Sequence, residues 1–366
     1  MPAEIELTTV LSLVFFFVMA VCFSVLINYL ILRFSRNLGI RNPEGTNLVR
    51  WASTSKPSLG GFSFYILFLL SIATLGVIPD INGNLNSEMI GLLAACSLAF
   101  LIGLADDTYN TNPLVKLLGQ FTCANILIVT GYSIHVTEFT EINYVFTMLW
   151  IIGLMNSINM LDNMDAITTS VSIAIITGVL MIITLNAEIG MYYQIIMLGV
   201  LGALIGFLRY NWNPSIMYMG DTGSQFLGVF LAGISILFIW NFRETGGGAV
   251  QLRQFLIPVL LFIVPLIDTT TVVLRRLARR QSPFVGGRDH ITHNLAYLGL
   301  SDRMVAVTLF IVSMVSVGLS SLVFVRFNDW EFNYTLALIA YCIALFLIMQ
   351  VLYNRANRKL EARNTP

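Results

Sequence analysis

The sequence predicts an all-α, polytopic integral membrane protein of about eleven transmembrane helices, with the N-terminus outside and the C-terminus cytoplasmic. Of its 366 residues, 57% are hydrophobic and 11% charged, whereas a soluble domain carries about a quarter charged residues; the mean hydropathy is +0.80. The apolar residues gather into blocks that approach the ~20 residues needed to cross a bilayer. The basic residues, finally, sort to one side of those blocks.

In chain order the candidate spans lie at roughly 8–32, 60–78, 88–104, 114–132, 144–161, 166–186, 191–208, 222–242, 255–274, 304–325 and 333–353. The first follows an acidic start, Met1-Pro2-Ala3-Glu4-Ile5-Glu6, and is too long for the apolar core of a cleavable signal peptide, so none is expected. The fifth and sixth are separated by a very short connection. With the loop 33–59 in the cytoplasm, 17 of the 20 Lys and Arg residues fall on that side, and only Arg243, Arg253 and Arg326 fall outside. Positive charge retained on the cytoplasmic side is what orients such chains. The extracytoplasmic loops are short, so residues 1–366 read as a single transmembrane catalytic domain whose cytoplasmic loops form the site. Cys22, Cys96, Cys123 and Cys342 lie singly in apolar blocks, as small buried hydrophobes do.

The acids carry a different signal. On the cytoplasmic side eight of ten are Asp, and six sit at span ends in tight patterns: Asp106-Asp107, Asp162-x-x-Asp165, Asp221 and Asp268. Bias in basic residues predicts nothing about carboxylates, so the clustering needs its own cause. A divalent-cation site for phosphate chemistry supplies one, because Mg²⁺ takes one or two carboxylates and shares its remaining positions with water and substrate phosphates. The spacing of Asp162 and Asp165 places both carboxylates on one helical face. Helix capping or pairing with arginine is the bland alternative, and it suits Asp289 and Asp302 as well as any function does.

Polar companions surround these acids. Asn156 and Asn159 precede Asp162, Asn211 and Asn213 precede Asp221, and asparagine in an apolar span marks a polar cavity. Gly220-Asp221-Thr222-Gly223-Ser224 opens the eighth span, and a helix N-terminus there would favour phosphate. The basic stretch 275–303 carries Arg288-Asp289-His290-Ile291-Thr292-His293, with two of the chain's three histidines. Arg288 can grip a diphosphate with two hydrogen bonds. Arg275, Arg276, Arg279 and Arg280 read as topology and headgroup anchors.

Taken together, these motifs resemble those of the polyprenyl-phosphate N-acetylhexosamine-1-phosphate transferases. That family includes the bacterial enzymes that start O-antigen and teichoic-acid synthesis, the peptidoglycan lipid I synthase and the eukaryotic dolichol counterpart. The matching pieces run in order: Lys56-Pro57-Ser58-Leu59-Gly60-Gly61, Asp106-Asp107, Lys116-Leu117-Leu118-Gly119-Gln120, Asn156-x-x-Asn159-x-x-Asp162-x-x-Asp165, Asn213-Pro214, Gly220-Asp221-x-Gly223-Ser224, Asp268-Thr269 with Arg275-Arg276, and His290-x-x-His293. Two pieces depart from the family. Asp162-Asn163-Met164-Asp165-Ala166 replaces the usual Asp-Gly-x-Asp-Gly, and the histidine stretch lacks the tight His-x-His-His. The second departure brings the chain nearer the N-acetylglucosamine branch than the muramoyl-pentapeptide branch.

The resemblance implies a Mg²⁺ site (Mn²⁺ as the substitute) on Asp221 with Asp107, and catalytic roles for Asp106, Asp107, Asp162, Asp165 and His290. It implies substrate binding by Lys56, Lys116, Asn159, Asn213, Arg288 and His293. The implied partners are a UDP-amino sugar (UDP-GlcNAc above all), undecaprenyl or another polyprenyl phosphate, and membrane lipid. No nucleic acid is expected; a homodimer is, by analogy. The implied reaction moves GlcNAc 1-phosphate to the lipid phosphate, releases UMP and initiates a cell-envelope polysaccharide at the bacterial inner membrane. Two other readings stand beside it. An Asp-motif prenyltransferase would need a third acid after Asp106-Asp107, and a secondary transporter would need ionisable groups at the bilayer midplane, where only Asp268 is a candidate.

Overall fold

The computed structural model describes residues 7–38, 56–75, 86–185, 191–241, 252–282, 287–326 and 329–364. Regular structure among them is helical, apart from one isolated parallel bridge between Ser58 and Tyr218. The helices are α1 (Leu7–Leu38), α2 (Gly61–Leu75), α3 (Ser87–Tyr109), α4 (Pro113–Val129), α5 (Thr140–Leu161), α6 (Ile167–Leu185) and α7 (Met191–Asn211). They continue with α8 (Gly220–Ser235, extended by a π-helical turn Ile236–Trp240), α9 (Leu252–Leu261), α10 (Ile263–Ala278), α11 (Ile291–Leu298), α12 (Asp302–Val325) and α13 (Phe332–Asn364).

Each expected span has its helix, although length and composition among the described residues do not confirm the count of eleven. Among the described residues eight helices are long and apolar enough to cross a membrane. A ninth would be α9 with α10, which meet at 81°. Proline 258 lies inside α9 and removes a backbone donor just before that corner. The two remaining expected spans, α2 and α4, have 15 and 17 described residues, shorter than the ~20 of a typical crossing.

Helix α8 is the axis of the bundle: every residue from Thr222 to Ser235 is buried. It packs against α2, α3, α5 and α6, while α1 lies against α7 on the outside and α12 against α6. In lipid there is little hydrophobic drive between helices, so close backbone approach decides which of them pack. A side-chain carbon at Gly103 of α3 would sit 2.3 Å from the carbonyl oxygen of Asp221. One at Gly61 of α2 would sit 2.3 Å from the backbone nitrogen of Gly223. Alanine at either position would push the start of α8 away from its neighbours. Deeper in the bundle, Phe68 meets Phe226 and Phe230 edge to face at 5.4 and 5.9 Å.

A backbone strap fixes the same end of α8. The amides of Gly60 and Gly61 donate to the carbonyls of Tyr218 and Met219 at 3.0 Å, and Tyr218 donates to Pro57 O at 3.0 Å. The Lys56–Gly61 motif is thereby tied to the segment that enters α8. Gly220 takes a positive φ of 74° at the turn into the helix, a conformation that costs glycine little.

Candidate active site

The C-terminal ends of α3, α5 and α7 and the N-terminal ends of α4, α6 and α8 come together at one end of the bundle. Asp106 and Asp107 lie in the last turn of α3, Lys116 in the first turn of α4, and Asp221 in the first turn of α8. Lys116 Nζ stands 2.7 Å from Asp106 Oδ2 and 3.3 Å from Asp221 Oδ1, so one ammonium bridges two carboxylates. Asp106 Oδ1 also accepts from the backbone N–H and the hydroxyl of Thr111, at 2.9 and 2.6 Å. Asn159, from the last turn of α5, donates to Asp221 Oδ1 and, at 2.8 Å, to Ser224 Oγ.

Asp107 faces elsewhere. Its Oδ1 accepts from the Asp221 backbone N–H at 3.0 Å, and its Oδ2 accepts from the Thr222 N–H at 2.9 Å and the Thr222 hydroxyl at 2.6 Å. The Gly220–Ser224 turn, expected to present its amides to phosphate, has two of them taken by this carboxylate. An acid there satisfies orphan donors and complements the helix dipole. Asp107 thus joins α3 to α8 and holds Asp221 in place.

Asp162 and Asp165 do not share a helical face. α5 ends at Leu161, Asp162 is its C-cap, and the chain turns before α6 begins at Ile167. Ala166 has φ 64°, a left-handed conformation incompatible with a continuous helix. It stands where the family usually places glycine. The turn sends the two acids to different partners. Asp165 accepts from the Ser215 N–H at 2.9 Å, the Ser215 hydroxyl at 2.7 Å and Asn213 Nδ2 at 3.0 Å. Lys56 Nζ lies 3.8 Å from Asp165 Oδ1, donates to Ser215 Oγ at 2.9 Å, and sits over the Tyr218 ring. These bonds brace the 213–218 loop. Asp162 sits close enough to Asp221, Asp107 and Asp165 for their charges to act on it; burial first, then those charges, push its carboxyl up to about 8.

The histidines form a neighbouring cluster. His290 is the N-cap of α11 and His293 lies inside that helix, so the expected loop is helical from Ile291 onward. Asp268, fully buried in α10, accepts the Ile291 N–H at 2.8 Å and stands 2.8 Å from His290 Nδ1. Arg276 grips Asp289 with Nε at 3.0 Å and Nη2 at 2.7 Å. Burial, followed by the charge of His290, lowers His293 to about 4, so its ring is neutral at physiological pH. The Thr292 hydroxyl donates to Asn163 Oδ1 at 2.6 Å, which ties this cluster to the Asp162 turn. Arg288 lines a cavity of about 540 Å³ with Arg276, Arg279, Tyr297 and Tyr353, on the side of α11 toward α13.

Asp268 was legible only as a motif member; its role as the partner of His290 was missed, although a carboxylate within an apolar helix is a flag in itself. Ser215, Thr222 and Asn163 left no signal that sequence alone could rank.

Among the described residues no three His, Cys, Asp or Glu side chains form a ready metal cage. A closed cage is not what Mg²⁺ requires. Asp221 and Asn159, with Asp162 nearby, can offer carboxylate and amide oxygens, the donors a hard cation takes, and substrate phosphates would complete its shell.

The chain is similar to several known proteins. Residues 89–239 match the model of glycosyl transferase family 4, and that stretch contains Asp106, Asp107, Lys116, Asp162, Asp165 and Asp221. A probable undecaprenyl-phosphate N-acetylglucosaminyl 1-phosphate transferase of Bacillus subtilis is 27% identical over 71% of each chain. A decaprenyl-phosphate N-acetylglucosaminephosphotransferase of Mycobacterium tuberculosis is 25% identical over 75% of this chain and 74% of its own. A phospho-N-acetylmuramoyl-pentapeptide-transferase of Staphylococcus haemolyticus is 30% identical over 61% of this chain and 70% of its own. The chain belongs to glycosyl transferase family 4, the polyprenyl-phosphate N-acetylhexosamine-1-phosphate transferases that its motifs resemble. It is a multi-pass membrane transferase of phosphosugars.

Proposed function

We propose that the protein transfers GlcNAc 1-phosphate from UDP-GlcNAc to undecaprenyl phosphate, releasing UMP and initiating a cell-envelope polysaccharide. The observation that carries this reading is the convergence of Asp106, Lys116, Asn159 and Asp221 from four helices at one end of the bundle. Such a site can serve a lipid phosphate at the membrane surface and a water-soluble nucleotide together. The choice of GlcNAc is supported by the two relatives whose names carry that sugar. The site end also carries Arg209, Arg275 and Arg276 at helix ends, which supports its facing the cytoplasm at the inner membrane.

In the reaction an oxygen of the lipid phosphate attacks the sugar-linked phosphorus of the donor. The bond from that phosphorus to the bridging oxygen breaks, and UMP leaves with that oxygen and its electron pair. Asp221 and Asn159, with Asp162 beside them, are the residues that would hold Mg²⁺. Bound there, it would neutralise the donor diphosphate. Lys116 spreads positive charge toward the same centre, and Asp106 aligns the incoming phosphate through its pairing with Lys116. Arg288 binds donor phosphate, and His290 and His293 frame the donor side. Positioning and electrostatics supply most of the acceleration in phosphoryl transfer, and a direct single step needs no more than these residues.

The test uses the purified protein in lipid nanodiscs with undecaprenyl phosphate and radiolabelled UDP-GlcNAc, with and without Mg²⁺. The expected result is a lipid-extractable diphospho-sugar and equimolar UMP, dependent on Mg²⁺. Failure of every UDP-amino sugar to give a lipid product would sink the proposal. A trapped acyl-phosphate on an aspartate would replace the single step by a covalent one.

A further inference from the structure

One helical turn inward from the site lies a second polar layer on three of the same helices, α4, α5 and α8. Gln120 follows Lys116 by four residues on α4, and Gln225 follows Asp221 by four on α8. Asn156 precedes Asn159 by three on α5, which runs the opposite way. These are the offsets that stack side chains on one helix face. Gln120 Nε2 donates to Gln225 Oε1 at 3.0 Å and to Asn156 Oδ1 at 3.3 Å, while Asn156 Nδ2 donates to Gln120 Oε1 at 2.8 Å and to Ile152 O at 2.8 Å. Gln120 is 1% exposed and Gln225 0%.

Amides within an apolar bundle are costly to bury, and here the bonding is incomplete: Gln225 Nε2 has no hydrogen-bond partner among the described residues. Apolar residues of the same volume would fill this layer at lower cost, so packing alone does not explain it. Helix α4 supplies the reason. Leu114, Val115 and Leu118 are exposed, and Gln120 is the first buried residue after Lys116. α4 packs on α3 and α5, and it reaches α8 through the Gln120–Gln225 bond and the Lys116–Asp221 pair. The height and rotation of Lys116 relative to Asp221 therefore depend on where Gln120 is held.

We infer that Gln120, Asn156 and Gln225 are positioning residues that set the register of α4 so that Lys116 stands between Asp106 and Asp221. The catalytic consequence rests on the functional reading above; the geometric one does not. Misplacing a reacting group by about an ångström can cost on the order of 10²-fold in rate.

The test compares wild type with Gln120→Leu and, as the milder change, Gln225→Leu, which removes a single hydrogen bond. Both are assayed for transfer per folded molecule and for labelling of Lys116 by an amine-reactive probe, read by mass spectrometry. The expected result is a kcat lowered about ten- to hundredfold with KM for donor and lipid held within about threefold, and Lys116 labelled faster. A role in stability alone would lower the melting temperature and leave kcat per folded molecule and Lys116 labelling unchanged, and that outcome overturns the inference. If wild type transfers nothing yet Lys116 labelling still rises in the variants, the functional reading fails and the positioning stands. Unchanged labelling in a variant that folds sinks the positioning whatever the activity.

Discussion

Asp268 Oδ2 lies 2.8 Å from Nδ1 of His290, and its Oδ1 receives the N–H of Ile291 at 2.8 Å, so one buried carboxylate orients the imidazole and starts the helix that carries His293. With Nδ1 committed to Asp268, Nε2 is the ring atom left to meet a substrate. Losing such an orienting partner typically costs about 10–100-fold at sites where imidazole is held by a carboxylate. Asp268→Asn is expected to lower transfer by about that factor, because the amide keeps the Ile291 bond but can present its NH₂ to Nδ1 and select the wrong tautomer. Transfer kinetics of D268N beside H290Q check this; equal activity of D268N and wild type would remove the pair from the site.

Lys116 is the single ammonium between Asp106 and Asp221, at 2.7 and 3.3 Å. Removing one partner of a largely buried ion pair costs about 3–5 kcal/mol because the other charge stays behind. Lys116→Met is therefore expected to lower thermal stability in detergent and to cut transfer at least about a hundredfold, the scale of losing a preorganised charge at a reaction centre. A K116M protein that melts with wild type would show the bridge to be idle.

Asp107 caps α8 with three accepted bonds at 2.6–3.0 Å. Hydrogen bonds to a charged group contribute about 1.5–3 kcal/mol each at most, and caps about 1 kcal/mol overall. Asp107→Ala should lower stability by about 2 kcal/mol on that scale, with Asp107→Asn recovering part of it. Hydrogen exchange reads the cause directly: the amides of Asp221 and Thr222 should exchange faster in D107A, and protected amides there would refute the capping role.

His293 is held near 4 by burial and by the charge of His290, against about 6.5 in an unfolded chain. A depressed histidine binds fewer protons folded than unfolded, so stability is full above the unfolded value and falls as pH drops from about 6.5 toward 4. The loss approaches about 3 kcal/mol over that window at 1.36 kcal/mol per unit. Unfolding of wild type and His293→Gln across pH 4 to 7 tests it; the variant should show a visibly shallower slope, and parallel slopes would assign the acid sensitivity to other groups.

The sequence alone determined the membrane class and the helical order, since the thickness of a bilayer imposes a length on apolar blocks that any chain must display. It also placed the acids at helix ends, because charge cannot be left in hydrocarbon without a purpose or a partner. It did not reveal that α9 and α10 meet at 81°, because that angle depends on how a proline corner and neighbouring helices settle. Nor could it distinguish one aspartate from another. Asp107 caps α8, Asp165 braces the 213–218 loop, Asp268 orients His290, Asp106 pairs with Lys116, and Asp162 is pushed toward its protonated form by burial and its acidic neighbours. Five carboxylates with the same intrinsic chemistry acquired different tasks through partners up to 115 positions away along the chain. Only the folded arrangement brings those partners within hydrogen-bonding distance.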